Sequence, residues 1–280
     1  MITRKALIGG SQLVWDEVGS GPSVLLIHGF PLCRALWRPQ VTALTAAGYH
    51  VIVPDLRGFG DSDTDSGIAS IGRYTDDLVE LIDLLELEKV VGVGMSMGGY
   101  VLLDLCRRFA SRLSAAVFAV TRCLPDDDQG KQRRYQLARD AQLHGPQAVA
   151  DPFLDVLVPE ALRKSRPKLA EEVYGWMVST STLGLASGLL AMADRADATG
   201  WLGEIKIPSL VIGAADDLAI PPEHSKMISE GIRDSRLTII PDAGHLANLE
   251  SPTAFNRALL MFLRDTTPTL LNTDDILCDC

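Results

Sequence analysis

Residues 90–98 read VVGVGMSMG, and the fold turns on how this stretch is read. Val90, Val91 and Val93 form a short apolar run of the length and β-branched character of a buried strand. From residue 97 to 109 the pattern becomes helical, MGGYVLLDLCRRF. Between the two lies Gly94-Met95-Ser96-Met97-Gly98. Strand, tight turn and helix in that order lift the Ser96 hydroxyl off the sheet edge and into a cleft. A histidine beside it there can take its proton, so the motif points to a serine nucleophile. The small residues Gly94, Gly98 and Gly99 allow the helix to begin close against the sheet. So sharp a turn holds the serine in strained backbone dihedrals.

Working outward, the same strand pattern recurs. Residues 23–27 (SVLLI), 50–54 (HVIVP), 113–120 and 210–212 are short and nearly continuous in apolar character. Residues 12–18 alternate, with Val14 and Trp15 as bulky members, and residues 236–241 form a further strand. Helical stretches stand between them at 36–47 and 74–85, the latter with Leu78, Leu81, Ile82 and Leu85 on one stripe. A closing helix is expected at 252–262. Continuous apolar strands separated by helices predict an α/β fold with a mostly parallel sheet, covered on both faces.

The rhythm breaks at residues 123–201. Roughly 80 residues without a clean strand are too many for a structureless loop. Helical segments divided at Pro152, Pro159 and Pro167 predict a helical cap inserted after the sixth strand. The layout is therefore core 1–122, cap 123–201, core 202–265 and an irregular acidic tail 266–280. Trp176, Met177, Leu183, Leu185, Leu189 and Met192 give the cap more apolar surface than isolated helices need. Some of it packs internally and the rest is expected to roof a pocket.

Composition narrows the classes of partner. Of 280 residues 47% are hydrophobic, enough for a substantial core, and the formal charge is −10 with no Lys/Arg block. Nucleic acid and anionic membranes are poor partners for such a chain. The five cysteines, Cys33, Cys106, Cys123, Cys278 and Cys280, are odd in number and irregularly spaced. They predict free thiols and a reducing, cytoplasmic setting. They lack the partners of a zinc site. The first residues do not read as a signal peptide, and no run approaches a membrane span.

His245 is the candidate general base. It ends Asp242-Ala243-Gly244-His245, after a late strand, where the sites of α/β sheets gather. Its imidazole can take the serine proton and return it to a leaving group. The orienting acid is Asp216 or Asp217. Counting from Pro208 or back from Pro221 selects Asp217, whereas counting from Gly213 selects Asp216; we take Asp217. The oxyanion donors are expected to be the backbone N–H groups of Phe30 and Met97. In residues 28–31, HGFP, Gly29 lets the loop approach the nucleophile, and His28 reads as scaffold. Residues 55–62, DLRGFGDS, read as a tight scaffold loop bearing an Asp–Arg pair. Leu32, Trp37, Met95, Tyr100 and Trp176 are candidate pocket residues. No phosphate-binding or dinucleotide motif and no metal cluster is evident, so no cofactor is expected.

Taken together, HGFP, DLRGFGDS, GMSMGGY, DDLAIPPE and DAGHLANLE resemble the corresponding loops of the α/β-hydrolase superfamily. The resemblance covers most of residues 13–263 apart from the cap. It is strongest to the 3-oxoadipate enol-lactonase and small carboxylesterase branch. It implies a cofactor-free Ser-His-Asp hydrolase acting on a small-molecule ester or lactone with an apolar or aromatic group. A serine at the elbow separates the chain from dehalogenases and epoxide hydrolases of this fold, which carry Asp there. Carbon–carbon bond hydrolases, cyclases and non-hydrolytic receptors share the triad, and these alternatives stay open, as does monomer against homodimer.

Overall fold

In the computed structural model, which describes residues 1–64 and 70–266, eight strands form one sheet. They are β1 (Ile2–Ile8), β2 (Ser11–Val18), β3 (Ser23–Ile27), β4 (His50–Pro54), β5 (Val90–Met95), β6 (Leu113–Ala119), β7 (Ser209–Ala214) and β8 (Ser235–Ile240). Their order is β1-β2-β4-β3-β5-β6-β7-β8. β1, β2 and β4 pair antiparallel, and every pairing from β4 onward is parallel. The helices in chain order are α1 (Arg38–Ala46), α2 (Ile71–Leu84), α3 (Met97–Arg108), α4 (Asp128–His144), α5 (Gln147–Leu157), α6 (Glu160–Ser165), α7 (Pro167–Ser179), α8 (Thr182–Ala193), α9 (Pro222–Gly231), α10 (Ala247–Glu250) and α11 (Pro252–Thr266).

The parallel strands read as unbroken apolar runs because both faces are covered. Along β3, Leu25 and Ile27 enter one core cluster while Val24 and Leu26 enter the other. β5 uses the same alternation differently. Val91, Val93 and Met95 fill one face, and Gly92 and Gly94 stand on the other. A Cβ on Gly92 would lie 2.5 Å from Leu102, and one on Gly94 would lie 2.3 Å from the Gly98 carbonyl oxygen. The bare face of β5 is what lets α3 lie directly on the sheet and start at its edge.

β1 was not anticipated from the sequence. Most of its residues are exposed, so it lacks the burial pattern that marks a strand. Its signal is the turn instead: Gly9 and Gly10 both have positive φ, 52° and 81°, and join two strands in register from Ile8–Ser11 to Ile2–Glu17. Two consecutive glycines between strands favour that kind of hairpin.

Among the described residues, the Asp and Arg of the 55–62 loop find partners on other elements rather than simply pairing with each other. Asp55 receives the Arg34 backbone N–H at 2.7 Å and pairs with the Arg34 guanidinium, whereas Arg57 forks onto Asp77 of α2 at 2.6 and 2.8 Å. The loop is scaffold, but its charges are matched by other elements. The carboxylate of Asp55 fills the space where a Cβ on Gly60 would sit, 2.2 Å away.

α4 to α8 form the cap between β6 and β7, with no strand among its described residues. Pro159 and Pro167 precede α6 and open α7, as helix breaks should. Pro152 instead lies inside α5. Leu185, Leu189 and Met192 of α8 join the core under the cap, while Leu183 is exposed. α8 meets the 55–62 loop backbone to backbone: a Cβ on Gly184 would lie 1.9 Å from the Gly58 carbonyl oxygen. Arg166 ties the cap to the opposite wall by donating to the Leu249 carbonyl at 3.0 Å. No single described helix is long and apolar enough to cross a membrane. Cys33, Cys106 and Cys123 are free thiols; Cys278, Cys280 and nearly all of the expected tail lie outside the described residues.

Candidate active site

Ser96 follows β5 and caps α3 with φ 53° and ψ −116°, a region that a residue bearing a Cβ rarely enters. Neighbours hold it there. Its N–H donates to the Ala119 carbonyl of β6 at 3.0 Å, and its own carbonyl accepts the Thr121 hydroxyl at 2.8 Å. Gly98 is required by contact: a Cβ there would lie 2.2 Å from the Ile27 carbonyl oxygen at the end of β3. The loop after β3 comes equally close. A Cβ on Gly29 would stand 3.1 Å from the Ser96 Cβ.

His245 follows β8, and its side chain is 3% exposed. Its Nδ1 lies 2.8 Å from Asp217 Oδ2 and 3.0 Å from Oδ1. Asp217 is fixed in turn by the backbone N–H groups of Ala219 and Ile220, which donate to Oδ1 at 2.8 and 2.9 Å. A carboxylate on Nδ1 favours the imidazole proton there and leaves Nε2 with a free lone pair. Asp216 is exposed, and the bond it makes to this region uses its own N–H, donated to the Ala243 carbonyl at 2.9 Å.

The sequence reading did not anticipate Glu250. Its Oε2 accepts the Gly244 N–H and its Oε1 the Leu246 N–H, both at 3.0 Å. The two amides flank His245, so one carboxylate grips the backbone on either side of the candidate base. Burial raises the Glu250 pKa; the two amide bonds work against that rise. Its position five residues after the histidine, at the end of the single-turn helix α10, was the available signal.

The Met97 N–H is the first amide of α3, a position without an intrahelical acceptor. The Phe30 N–H lies in the loop that Gly29 brings against Ser96. Among the described residues neither amide donates to a protein acceptor. Phe30 is anchored by edge contacts with Phe59 and with Phe153 of the cap, at 5.8 and 5.0 Å between ring centroids. His28 is fully buried, accepts the Leu56 N–H at Nε2 (2.9 Å) and donates from Nδ1 to the Gly29 carbonyl (2.9 Å). It joins the loops after β3 and β4 as a neutral imidazole, its pKa lowered chiefly by burial.

A cavity of about 370 Å³ contains Ser96 and His245. Phe30 and Tyr100 line it from the core, and Leu137, Phe153, Leu157 and Met192 line it from the cap. Of the five expected pocket residues, Tyr100 is in this wall. The other four are corrected by the structure. Leu32, Trp37 and Met95 are buried in the second core cluster and are not among the residues lining this cavity. Met95 precedes Ser96 on β5, and strand alternation turns it to the opposite face. Trp176 lines a separate cleft and lies 5.9 Å beneath the Arg38 guanidinium. The cap residues that do face Ser96 carry a legible signal, since Phe153, Val156 and Leu157 share the i, i+3, i+4 stripe of α5. Three guanidiniums, Arg122, Arg133 and Arg134, complete the wall. No group of metal-ligating side chains is gathered among the described residues.

Known proteins bear on this geometry. A thermophilic esterase from Thermogutta terrifontis superposes with a TM-score of 0.90 at 34% identity, covering 95% of this chain and 99% of its own. A bromoperoxidase from Bacillus anthracis superposes with a TM-score of 0.85 at 27% identity, covering 94% and 100%. In sequence, 3-oxoadipate enol-lactonase 2 of Acinetobacter baylyi is 29% identical over 238 residues, 85% of this chain and 87% of that one. The model of the α/β-hydrolase fold family matches residues 22–252, a span that contains Ser96, Asp217 and His245, and the chain belongs to that family.

Proposed function

We propose that this protein is a serine hydrolase that cleaves a carboxylic ester or lactone of a small substrate through an acyl-enzyme. One observation carries the reading: Ser96, on its strained turn, shares a cavity with His245, whose Nδ1 is held by the buried carboxylate of Asp217. Ser96 Oγ attacks the carbonyl carbon while its proton passes to His245 Nε2. The carbonyl electrons move onto oxygen, where the N–H groups of Phe30 and Met97 receive the charge. The tetrahedral adduct collapses, the carbon–oxygen bond breaks, and the leaving alkoxide takes the proton from His245. In a lactone the alcohol stays tethered to the acyl group. Water then repeats the sequence against the acyl-enzyme and frees Ser96. Asp217 keeps the imidazole in the required tautomer and stabilises the imidazolium. The apolar cap side of the cavity suits an aliphatic or aromatic group better than a sugar.

The test is covalent labelling. A fluorophosphonate is expected to add one adduct to the wild type, mapping to Ser96, and none to Ser96→Ala. The variant should also lose hydrolysis of p-nitrophenyl esters while keeping its fold by circular dichroism. An adduct on another residue, or ester turnover surviving in Ser96→Ala, would sink the assignment.

A further inference from the structure

We propose that the buried pair Gln40–Asn248 sets the distance between the oxyanion loop and His245, and that both side chains are positioning residues for acyl transfer. This rests on the hydrolytic reading and adds to it two residues outside the cavity. Neither Gln40 nor Asn248 lines the Ser96 cavity, and both are fully buried.

The sheet leaves one distance unset. Phe30 follows β3 and His245 follows β8, and β5, β6 and β7 stand between those strands. Four strand spacings put the two starting points about 19 Å apart. The loop of Phe30 is fixed to Ser96 by adjacency, since β3 pairs with β5 and Gly29 lies against the serine. The histidine loop has to reach back across β7 and β6, and strand pairing does not set how far it reaches. Asp217 orients the ring from the loop after β7, and Glu250 holds the amides on either side of it. Neither contact refers the ring to the oxyanion loop.

Gln40 on α1 and Asn248 on α10 supply that reference. Asn248 lies three residues after His245. Its Nδ2 donates to the Leu36 carbonyl at 2.8 Å and to Gln40 Oε1 at 3.1 Å. Gln40 returns a bond: its Nε2 donates to the Asn248 carbonyl at 3.1 Å, and also to Asn256 Oδ1 of α11 at 2.9 Å. Bonds exchanged in both directions fix α10 against α1 in position and in orientation. Leu36 belongs to the short helical turn Arg34–Trp37 that continues the oxyanion loop. Two tight turns close the chain back to Gly29, Leu36 N–H to the Cys33 carbonyl at 3.1 Å and Leu32 N–H to the Gly29 carbonyl at 3.0 Å. The surroundings are dry, for Leu36, Trp37, Leu246, Ala247 and Phe255 share one buried cluster. There amide bonds are strengthened and an unpaired amide is costly, so the pair keeps one arrangement. A displacement of about 1 Å between base and oxyanion donors is enough to cost on the order of 10²-fold in rate.

The experiment measures kcat and KM on one p-nitrophenyl ester, the rate of fluorophosphonate labelling, and Tm. The proteins compared are the wild type, Asn248→Leu, Gln40→Met, the double variant and Asn256→Leu. Asn256 is the control, because it holds Gln40 and the Pro39 carbonyl from α11 and touches neither loop. Asn248→Leu and Gln40→Met are each expected to lower kcat by about 10²-fold with KM within about threefold, and labelling should slow in parallel. The double variant should fall no more than about threefold below the worse single variant, since the pair acts as one unit. Asn256→Leu should lower Tm comparably while kcat stays within about threefold, a split that a merely structural pair would not show. Retained kcat in both pair variants, losses that multiply in the double variant, or an equal kcat loss in Asn256→Leu overturns the positioning role. Gln40→Met carries the test from α1 should Asn248→Leu not fold. Absence of a Ser96 adduct in the wild type would instead overturn the hydrolytic reading.

Discussion

The adjacent carboxylates Asp216 and Asp217 leave β7 in one turn, yet their surroundings assign them different work. Asp217 is buried, takes two backbone N–H bonds and faces the His245 ring; Asp216 is exposed and engages the loop only through its amide. Replacing Asp217 with Asn puts an amide opposite Nδ1, where an NH₂ group favours the wrong imidazole tautomer. Such a change costs about 10⁴ in kcat in a serine protease triad. Asp217→Asn should therefore lose several orders of magnitude on an activated ester, and Asp216→Asn should remain within a few fold of wild type. Kinetics of both variants on one substrate check this; a crippled Asp216→Asn would reverse the assignment. At this scale the sequence was most informative about Ser96, because the glycines its turn requires are themselves a pattern. A Cβ at Gly94 or Gly98 would meet backbone atoms within 2.3 Å, so the packing demands what the motif displays. The choice between two neighbouring aspartates carries no such demand. It depends on which side chain the turn after β7 directs inward, and that is a matter of three-dimensional course.

At the scale of elements, the histidine loop is held from both ends of its own sequence. Asp217 holds the ring, and Glu250 of α10 holds the amides before and after it. Gln in place of Glu250 retains one acceptor oxygen, so one amide loses its partner; a buried donor left unmade costs about 1–3 kcal/mol. Glu250→Gln should reduce kcat more than KM and loosen the loop, read as faster amide exchange at Gly244 and Leu246. Its pH signature follows from burial. The folded-state pKa of Glu250 is raised, so the native state binds more protons than the unfolded chain between the ordinary and the raised value. Stability from this group is thus fully present below the ordinary value and is lost as pH rises through the raised one. The stability of wild type relative to Glu250→Gln should fall across that window, as measured by urea unfolding at several pH values; a rise would contradict the sign. Elements buried on two faces, such as β3 and β5, were legible because burial forces a continuous apolar run. β1 was not, since its exposed edge makes no such demand and only the Gly9-Gly10 turn betrays it.

For the molecule as a whole, the cap's apolar surplus has three destinations, and the sequence does not distinguish them. α8 sends Leu185 and Leu189 into the core and Met192 to the cavity, α5 turns Phe153 to Ser96, and α7 places Trp176 on the outer flank against Arg38. A large aromatic in a cap reads as a roof until the direction of its helix is known. On the proposed hydrolytic reading, the division of labour is chemistry in the loops after the parallel strands, and substrate choice on α4, α5 and the end of α8. Two substitutions separate these roles. Phe153→Leu removes a ring from the cavity wall and should shift preference toward bulkier acyl groups, measured as the ratio of kcat/KM for a branched or aromatic ester to that for the acetate. It also removes one of the two aromatic contacts of Phe30, so the acetate rate itself should fall modestly as the oxyanion loop loosens. Trp176→Ala lies outside the cavity and should leave the acyl ratio where it is. Loss of its partial burial and of the Arg38 contact should cost about 1–2 kcal/mol, a few degrees in Tm for a chain of this size. An altered acyl ratio in Trp176→Ala, with Phe153→Leu unchanged, would mean that the outer cleft and not the Ser96 cavity receives the acyl group.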